Sequence, residues 1–280
     1  MFFSRRPVAP LAAFVDTLWT SERAALPHAR ERNLPTGCVD IVIPLLEGQR
    51  ITRFTGIDDL AGDSFGGGVV QGAQDRSHQR ETHGASAVVG VHFKPGGAVV
   101  FFGGALPELR NRTVPLDALW GPGARYLREE LQTTAGPHAR LQRLESCLMA
   151  RLQQQVARVD AMAFAALQAF AHQPAAALIE PVQHASGCSA AQFIARFEQA
   201  VGLTPKRYAR VLRFHALIER VALRRPDDWA QAAVEAGYAD QSHLIHEFKR
   251  LAGITPRAYL PIAPDHPTHV AVVEKISNTD

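Results

Sequence analysis

Gln241, Ser242 and His246 bring an amide, a hydroxyl and an imidazole to one stretch of chain, with Lys249 just beyond. These groups suit the edges of nucleic-acid bases. An amide takes adenine in a bidentate fashion, a hydroxyl is a permissive contact, and an imidazole donates to a base edge or a phosphate. In a matching segment 51 residues earlier, Ala191, Ile194 and Ala195 stand in comparable places, with Glu198 beyond. Alanine contacts thymine methyls and a carboxylate accepts from cytosine, so this second set reads fewer hydrogen bonds. Arg196, Lys206, Arg207, Arg210, Lys249 and Arg250 are the cations expected at phosphates, and Arg213 lies on the same stretch as Arg210.

Other reactive residues carry weaker patterns. Cys38, Cys147 and Cys188 are scattered, with neither a disulfide framework nor metal spacing. Cys38 precedes Asp40 without a flanking His or a second Cys, which favours a buried structural thiol over a reactive one. His78, His83 and His92 match no zinc spacing, so no metal or cofactor is expected. Gly66-Gly67-Gly68 lacks the Lys and Ser/Thr of a phosphate loop and reads as a turn. Arg112, Asp117 and Trp120 suit a pocket or plain packing equally.

The elements that must position the base-reading residues are legible as a repeat. Ser189–Tyr208 (SAAQFIARFEQAVGLTPKRY) returns as Asp240–Tyr259 (DQSHLIHEFKRLAGITPRAY). Phe197, Gly202, Thr204, Pro205 and Tyr208 recur as Phe248, Gly253, Thr255, Pro256 and Tyr259. In the second copy Asp227 or Asp228 caps a helix, Gly237 ends it, and Asp240 caps another. Leu244, Phe248 and Leu251 then form its inward stripe. That is a helix-turn-helix. In the first, Ala175–Ala185 is the scaffold helix, Ser186-Gly187 the turn and Ser189 the cap. Between them Thr204 and Pro205 start a helix running to Arg224. Twenty helical residues span ~30 Å, close to the ~34 Å between successive major grooves on one face of DNA.

The expected fold class is α+β. A mixed N-terminal domain over 1–172, a small β-sheet or barrel plus helices, precedes an all-α double helix-turn-helix domain over 173–262 and a tail over 263–280. Cys38–Leu46, Ala87–Phe93 and Gly66–Gln71 read as strands, and Lys94–Gly97 as a turn. Leu11–Trp19 reads as a short helix, and the tail from Pro261 as a loose surface segment. Leu141, Leu144, Leu148, Leu152 and Val156 make a helical stripe that favours core over a dimer seam. Gln173-Pro174 breaks the helical stretch.

Composition is that of a globular chain, with 46% hydrophobic and 20% charged residues. No long uncharged apolar window argues for a membrane span, and the start lacks a cleavable leader, so the expected location is the cytoplasm. Residues 181–260 hold 11 Lys/Arg against 7 Asp/Glu, while the remainder holds 19 against 20. The positive excess sits with the repeat, as phosphate binding requires.

The C-terminal region resembles the AraC/XylS family of bacterial transcription regulators. The residues that carry the resemblance are Ala232–Leu244 (AAVEAGYADQSHL), Glu247-Phe248-Lys249 and Gly253–Tyr259 (GITPRAY). It implies two helix-turn-helix motifs joined by a helix on adjacent major-groove segments. Base reading carries over to Gln241, Ser242 and His246, and to Ala191, Ile194 and Ala195. The first motif departs from the family habit of a polar or basic residue at Ala195, since Arg196 comes one place later. More loosely, Leu34–Asp40, Val89–Gly97, Glu108-Leu109 and Val114–Leu116 resemble the sensor half of one subgroup, which implies a ligand-sensing or dimerising domain. The expected partner is double-stranded DNA. A small-molecule effector, RNA polymerase and a second copy are further candidates, and a membrane is not. The competing reading is a thiol-based alkyl-acceptor or redox protein fused to a DNA-binding domain.

Overall fold

The computed structural model describes residues 1–56, 58–154, 159–174 and 179–272. Two antiparallel sheets organise the N-terminal half. The first has the order β1 (Phe2–Arg5), β2 (Val15–Arg23), β9 (Ser86–Phe93), β4 (Asp40–Pro44), β7 (Val69–Gln71), β10 (Thr113–Pro115). The second runs β11 (His269–Val272), β3 (Arg30–Asn33), β8 (His78–Glu81), β5 (Ile51–Phe54), β6 (Asp63–Phe65).

Alternation within the strands decides what each face meets. Ala87, Val89, Val91 and Phe93 of β9 point to one side with Leu18, Ile41 and Ile43, all buried. Helices α4 (Gly123–Thr133) and α5 (Pro137–Gln154) close over that side with Leu127, Leu131, Leu141, Leu144 and Leu148. Burial of each such side chain is worth about 1.5–3 kcal/mol. The stripe on α5 is therefore core; Leu152 is partly buried against it, and Val156 lies outside the described residues. Glu145 on α5 accepts from Arg5 (2.7 and 3.0 Å) and from the Val8 amide (2.8 Å), which pins the N-terminal strand.

The other face of the first sheet carries a polar row beside Trp19, Val42 and Val69. Register sets Thr17, His92, Asp40 and Gln71 in one transverse row. Glu31, Arg80 and Arg53 form a comparable row on the second sheet. The two rows face one another, since Gln71 Nε2 lies 2.9 Å from His78 Nε2.

Two expectations change. Leu11–Trp19 is a single 3-10 turn at Leu11–Ala13 followed by β2, because Val15 and Leu18 bury into the first sheet's core. The expected loose segment from Pro261 is tied down where it is described: β11 pairs with β3 from His269↔Asn33 to Val272↔Arg30, and Val270 and Val272 are buried, while residues 273–280 lie outside the described residues.

The helical part continues through the short α1 (Val99–Phe102), α2 (Leu106–Leu109) and α3 (Leu116–Trp120), then α6 (Ala161–His172) after α5. The C-terminal helices are α7 (Ile179–Ala185), α8 (Ala190–Val201), α9 (Pro205–Leu223), α10 (Trp229–Glu235) and α11 (Gln241–Ala252). The expected start of the first scaffold helix, 175–178, lies outside the described residues.

Candidate nucleic-acid interface

Local chemistry builds each motif. Ser189 and Gln192 form a reciprocal capping box at the start of α8. Asp240 accepts from the His243 amide at 2.7 Å to start α11. Asp228 caps α10 by accepting from the Ala230 amide at 2.7 Å. Both α8 and α11 end at a glycine in the left-handed region, Gly202 (φ 82°) and Gly253 (φ 69°), so the repeat is also a repeat of backbone geometry. Thr204 stands at the cap position of α9 without a side-chain bond, and Pro205 supplies the first turn.

Packing decides which faces remain free. Leu244, Phe248 and Leu251 are fully buried against Phe214, Leu217 and Ile218 of α9. Ser242, His246 and Lys249 are exposed on the opposite side of α11. Gln241 is half-buried, in a groove of about 290 Å³ with Trp229, Ile245 and Arg257. On α8, Phe193 and Phe197 face inward, while Ala191, Ile194, Ala195 and Arg196 are exposed. His243 is engaged locally: its Nδ1 accepts from the Ala239 amide (3.3 Å) and its ring meets Tyr238 edge-on.

The cations divide into two groups. Lys206 and Lys249 are exposed and have no ion pair among the described residues, and Arg250 is 4.0 Å from Glu247. Arg196, Arg207 and Arg210 each hold a carboxylate instead. Arg196 makes a fork with Asp160 at 2.8 and 3.0 Å. Arg207 donates to Asp75 of the N-terminal half. Arg210 donates through Nε (2.6 Å) and Nη2 to Glu247, whose side chain is only 7% exposed. Burial works against ionisation of Glu247, but the Arg210 bonds outweigh it and hold the carboxyl below its ordinary range. Glu198, expected to face bases, accepts from Arg110 at 3.1 Å.

A groove of about 400 Å³ lies between the motifs, lined by Ile179, Lys206, Ala209, Arg210, Arg213, His243 and Glu247. The Arg213 Nε is buried there without a partner among the described residues, and its guanidinium sits 5.6 Å from the Tyr238 ring centre.

The N-terminal half grips both motifs through residues that carried no sequence signal. Arg32 and Ser77 each donate to the Ala252 carbonyl at 3.0 Å, and the Ser77 amide donates to Leu251 at 2.7 Å. Asp75 accepts from Asn111 at 2.7 Å besides Arg207. Phe170 of α6 meets Phe197 and Tyr208 at 5.7 and 6.3 Å.

The pocket and metal candidates separate. Trp120 packs on Phe102 and under the Arg151 guanidinium, while Arg112 and Asp117 are exposed. His83 is exposed, and His78 contacts Gln71. Among the described residues no three His, Cys, Asp or Glu side chains gather as a metal site. Cys38 is buried, as expected, yet it does have a histidine beside it across the sheet. Burial opposes protonation of His92, but Asp40 (2.6 Å) and Cys38 raise its pKa well above the ordinary value.

Among the described residues no helix is long and apolar enough to cross a membrane. Residues 4–115 match a domain of unknown function (DUF6597), and residues 183–261 match a helix-turn-helix domain. No curated protein matches the chain. Among solved structures, the chain is similar to ToxT from Vibrio cholerae, with 10% identity over 92% of this chain and 97% of that one and a TM-score of 0.47. The unsaturated-fatty-acid-bound form of wild-type ToxT from Vibrio cholerae gives 10% identity, 91% and 96% coverage, and 0.45. The AraC-like transcriptional activator CuxR gives 15%, 77% and 86%, and 0.29. The matched helix-turn-helix domain, residues 183–261, spans both capped reader helices and the signature from Ala232 to Tyr259, so the C-terminal region is a helix-turn-helix domain of AraC type.

Proposed function

We propose that the chain is a sequence-specific regulator whose N-terminal half, residues 1–172, responds to a small-molecule effector and so sets how residues 173–262 meet DNA. The observation that carries this reading is that each motif shares a core with a different part of the N-terminal half. Phe193, Phe197, Val201 and Leu203 pack in one cluster with Val39, Val91 and Phe101. Phe248, Leu251 and Ala252 pack in another with Leu34 and Val270, beside the second sheet. A ligand that favours one spacing of the two sheets thereby favours one arrangement of the two readers, which is a population shift.

Within this reading, Gln241, Ser242 and His246 read base edges through hydrogen bonds, and Ala191, Ile194 and Ala195 supply shape and thymine-methyl contacts. Lys206, Lys249 and Arg250 meet phosphates, and Arg196 joins them by exchanging Asp160 for a phosphate. Arg207 and Arg210 are assigned to bracing α9, because their carboxylate partners are nearly buried. RNA polymerase and a second copy of the chain are further proposed partners; sedimentation with and without DNA tests the second copy.

Selection of bound duplexes from a random library by the full chain, near physiological salt, tests the reading. Two unequal half-elements about one helical turn apart are expected, the richer one under α11. Binding without enrichment that vanishes as salt rises would overturn sequence specificity.

The nearness of the buried Cys38 to His92, reached through the β4–β9 ladder, supports a second reading, a thiol that accepts an alkyl group. Treatment with a thiol-reactive alkylator followed by peptide mapping separates the two: stoichiometric labelling of Cys38 alone favours the acceptor.

A further inference from the structure

The space between the two sheets has the wrong chemistry for a core. The helix-facing side of the first sheet buries Leu18, Ile41, Val89 and Val91 completely. On the side facing the second sheet, Gln71 and, across from it, Glu31 are buried, but Thr17, His92 and Asp40 stay only partly buried, and so do Arg53 and Arg80. Residues that point inward between two sheets yet keep contact with solvent line a wet cleft, not a packed interface.

Two donors in this cleft stand out. The Nε atoms of Arg53 and Arg80 are both shielded from solvent and have no hydrogen-bond partner among the described residues. The two residues are directly paired across β5 and β8. Arg80 uses Nη2 on Glu31, at 3.0 Å to each oxygen. Among the described residues Arg53 has only the Thr52 carbonyl, at 3.3 Å from Nη1. The edge formed by Nε and one Nη of a guanidinium matches the two oxygens of a carboxylate or phosphate. Buried donors without partners are rare enough in native proteins to require an explanation, and a bound anion is one.

We propose that Arg53 and Arg80 form an anion-binding site between the two sheets, which takes a small molecule bearing a carboxylate or phosphate. The floor of the cleft fits an organic body attached to that anion. Trp19 pairs with Gly90 in register, and a Cβ at Gly90 would come within 2.3 Å of Trp19 Cζ2. Glycine there lets the indole lie flat along the sheet as an apolar surface.

Charge agrees with this chemistry. Arg53, Arg80 and protonated His92 face Glu31 and Asp40, which leaves one cation in excess. Burial and the neighbouring Arg80 push the Arg53 pKa down to about 9, the mark of a cation short of counter-charge. Burial, with Arg53 and Arg80 nearby, holds His78 well below its ordinary pKa, so its neutral ring accepts from Gln71 and adds no competing charge.

The proposal rests on the effector reading above and names the class of ligand. Its test uses the full chain free of DNA, titrated calorimetrically with acetate, benzoate, benzamide and inorganic phosphate. Benzoate is expected to bind at least ten-fold more tightly than its neutral isostere benzamide, or phosphate to bind where benzamide does not; which of these holds identifies the anion. Arg53→Met is expected to weaken the successful probe ten-fold or more. Equal binding of benzoate and benzamide without binding of phosphate, no binding of any anion, or unchanged binding of the successful probe by a folded Arg53→Met would overturn the site, and the wild-type contrast needs no variant to fold. DNA retention is then measured with the anion present. Binding without any effect on DNA would leave the site standing and sink effector control instead.

Discussion

Arg207, in the first turn of the helix α9 that joins the two readers, donates to Asp75, which lies 132 residues earlier in the N-terminal half. Asp75 is 5% exposed and is also bound by Asn111. Burial raises its pKa, but the Asn111 and Arg207 bonds outweigh that and leave it below the ordinary carboxylate range. The pair thus works as a strut between the two halves of the chain.

Removing one side of the strut leaves a buried carboxylate short of a donor, at a cost of about 1–3 kcal/mol. Arg207→Ala is therefore expected to lower the denaturation midpoint while leaving the salt slope of DNA binding unchanged. Urea unfolding and a salt titration of affinity check this. A slope reduced by about one, with stability intact, would place Arg207 on a phosphate instead.

Gln241→Ala is expected to relax specificity at one base position and to cost about 1–3 kcal/mol only on duplexes that carry the preferred base. Lys206→Ala should weaken binding to all duplexes alike and lower the salt slope by about one. Competition between matched and single-substituted duplexes at two salt concentrations separates the two patterns. Uniform loss in both variants would mean that the reading face of α11 is misplaced.

Local signals made the readers legible. The caps at Ser189 and Asp240, the glycines at 202 and 253, and the stripe of Leu244, Phe248 and Leu251 are all short-range features, and each acts within one or two helical turns. What stayed hidden depends on pairing at a distance. Leu11–Trp19 carries apolar residues that suit a helix by themselves, and only the partner strand β9 makes β2 of them. Arg53 and Arg80 look like ordinary surface arginines until register puts them side by side. Cys38 lacks a histidine in sequence and gains His92 only through the β4–β9 ladder. Arg207 and Arg210 looked like free cations because Asp75 and Glu247 lie 132 and 37 residues away.

β11 ties the segment after the second reader back onto β3, and Val270 enters the core that holds Phe248 and Leu251. Val270→Asp buries a carboxylate against that core and is expected to cost about 2–4 kcal/mol. Hydrogen exchange should show faster opening of β3 and of α11 together, since one cluster supports both. Faster exchange in β3 alone would mean that the second reader does not depend on the returning strand.

Glu31 connects that returning strand to the anion cleft. Its side chain is fully buried, and it accepts from Arg80 at 3.0 Å and pairs with His269 Nδ1 at 3.0 Å. Burial alone would raise its pKa, yet the hydrogen bonds and charges of His269 and Arg80 bring it down to about 2. A carboxyl with a depressed folded-state pKa stabilises the fold above its unfolded value, near 4.5, and loses that contribution as pH falls through about 2. The shift corresponds to a contribution on the order of 3 kcal/mol at neutral pH. Glu31→Gln removes it at every pH, so the wild type should be more stable at pH 7 and the two proteins should converge as pH drops from about 4.5 toward 2. Urea denaturation of both proteins across this range measures the convergence, and a gap that stays constant with pH would show that the Glu31 charge is not what holds β11 to β3.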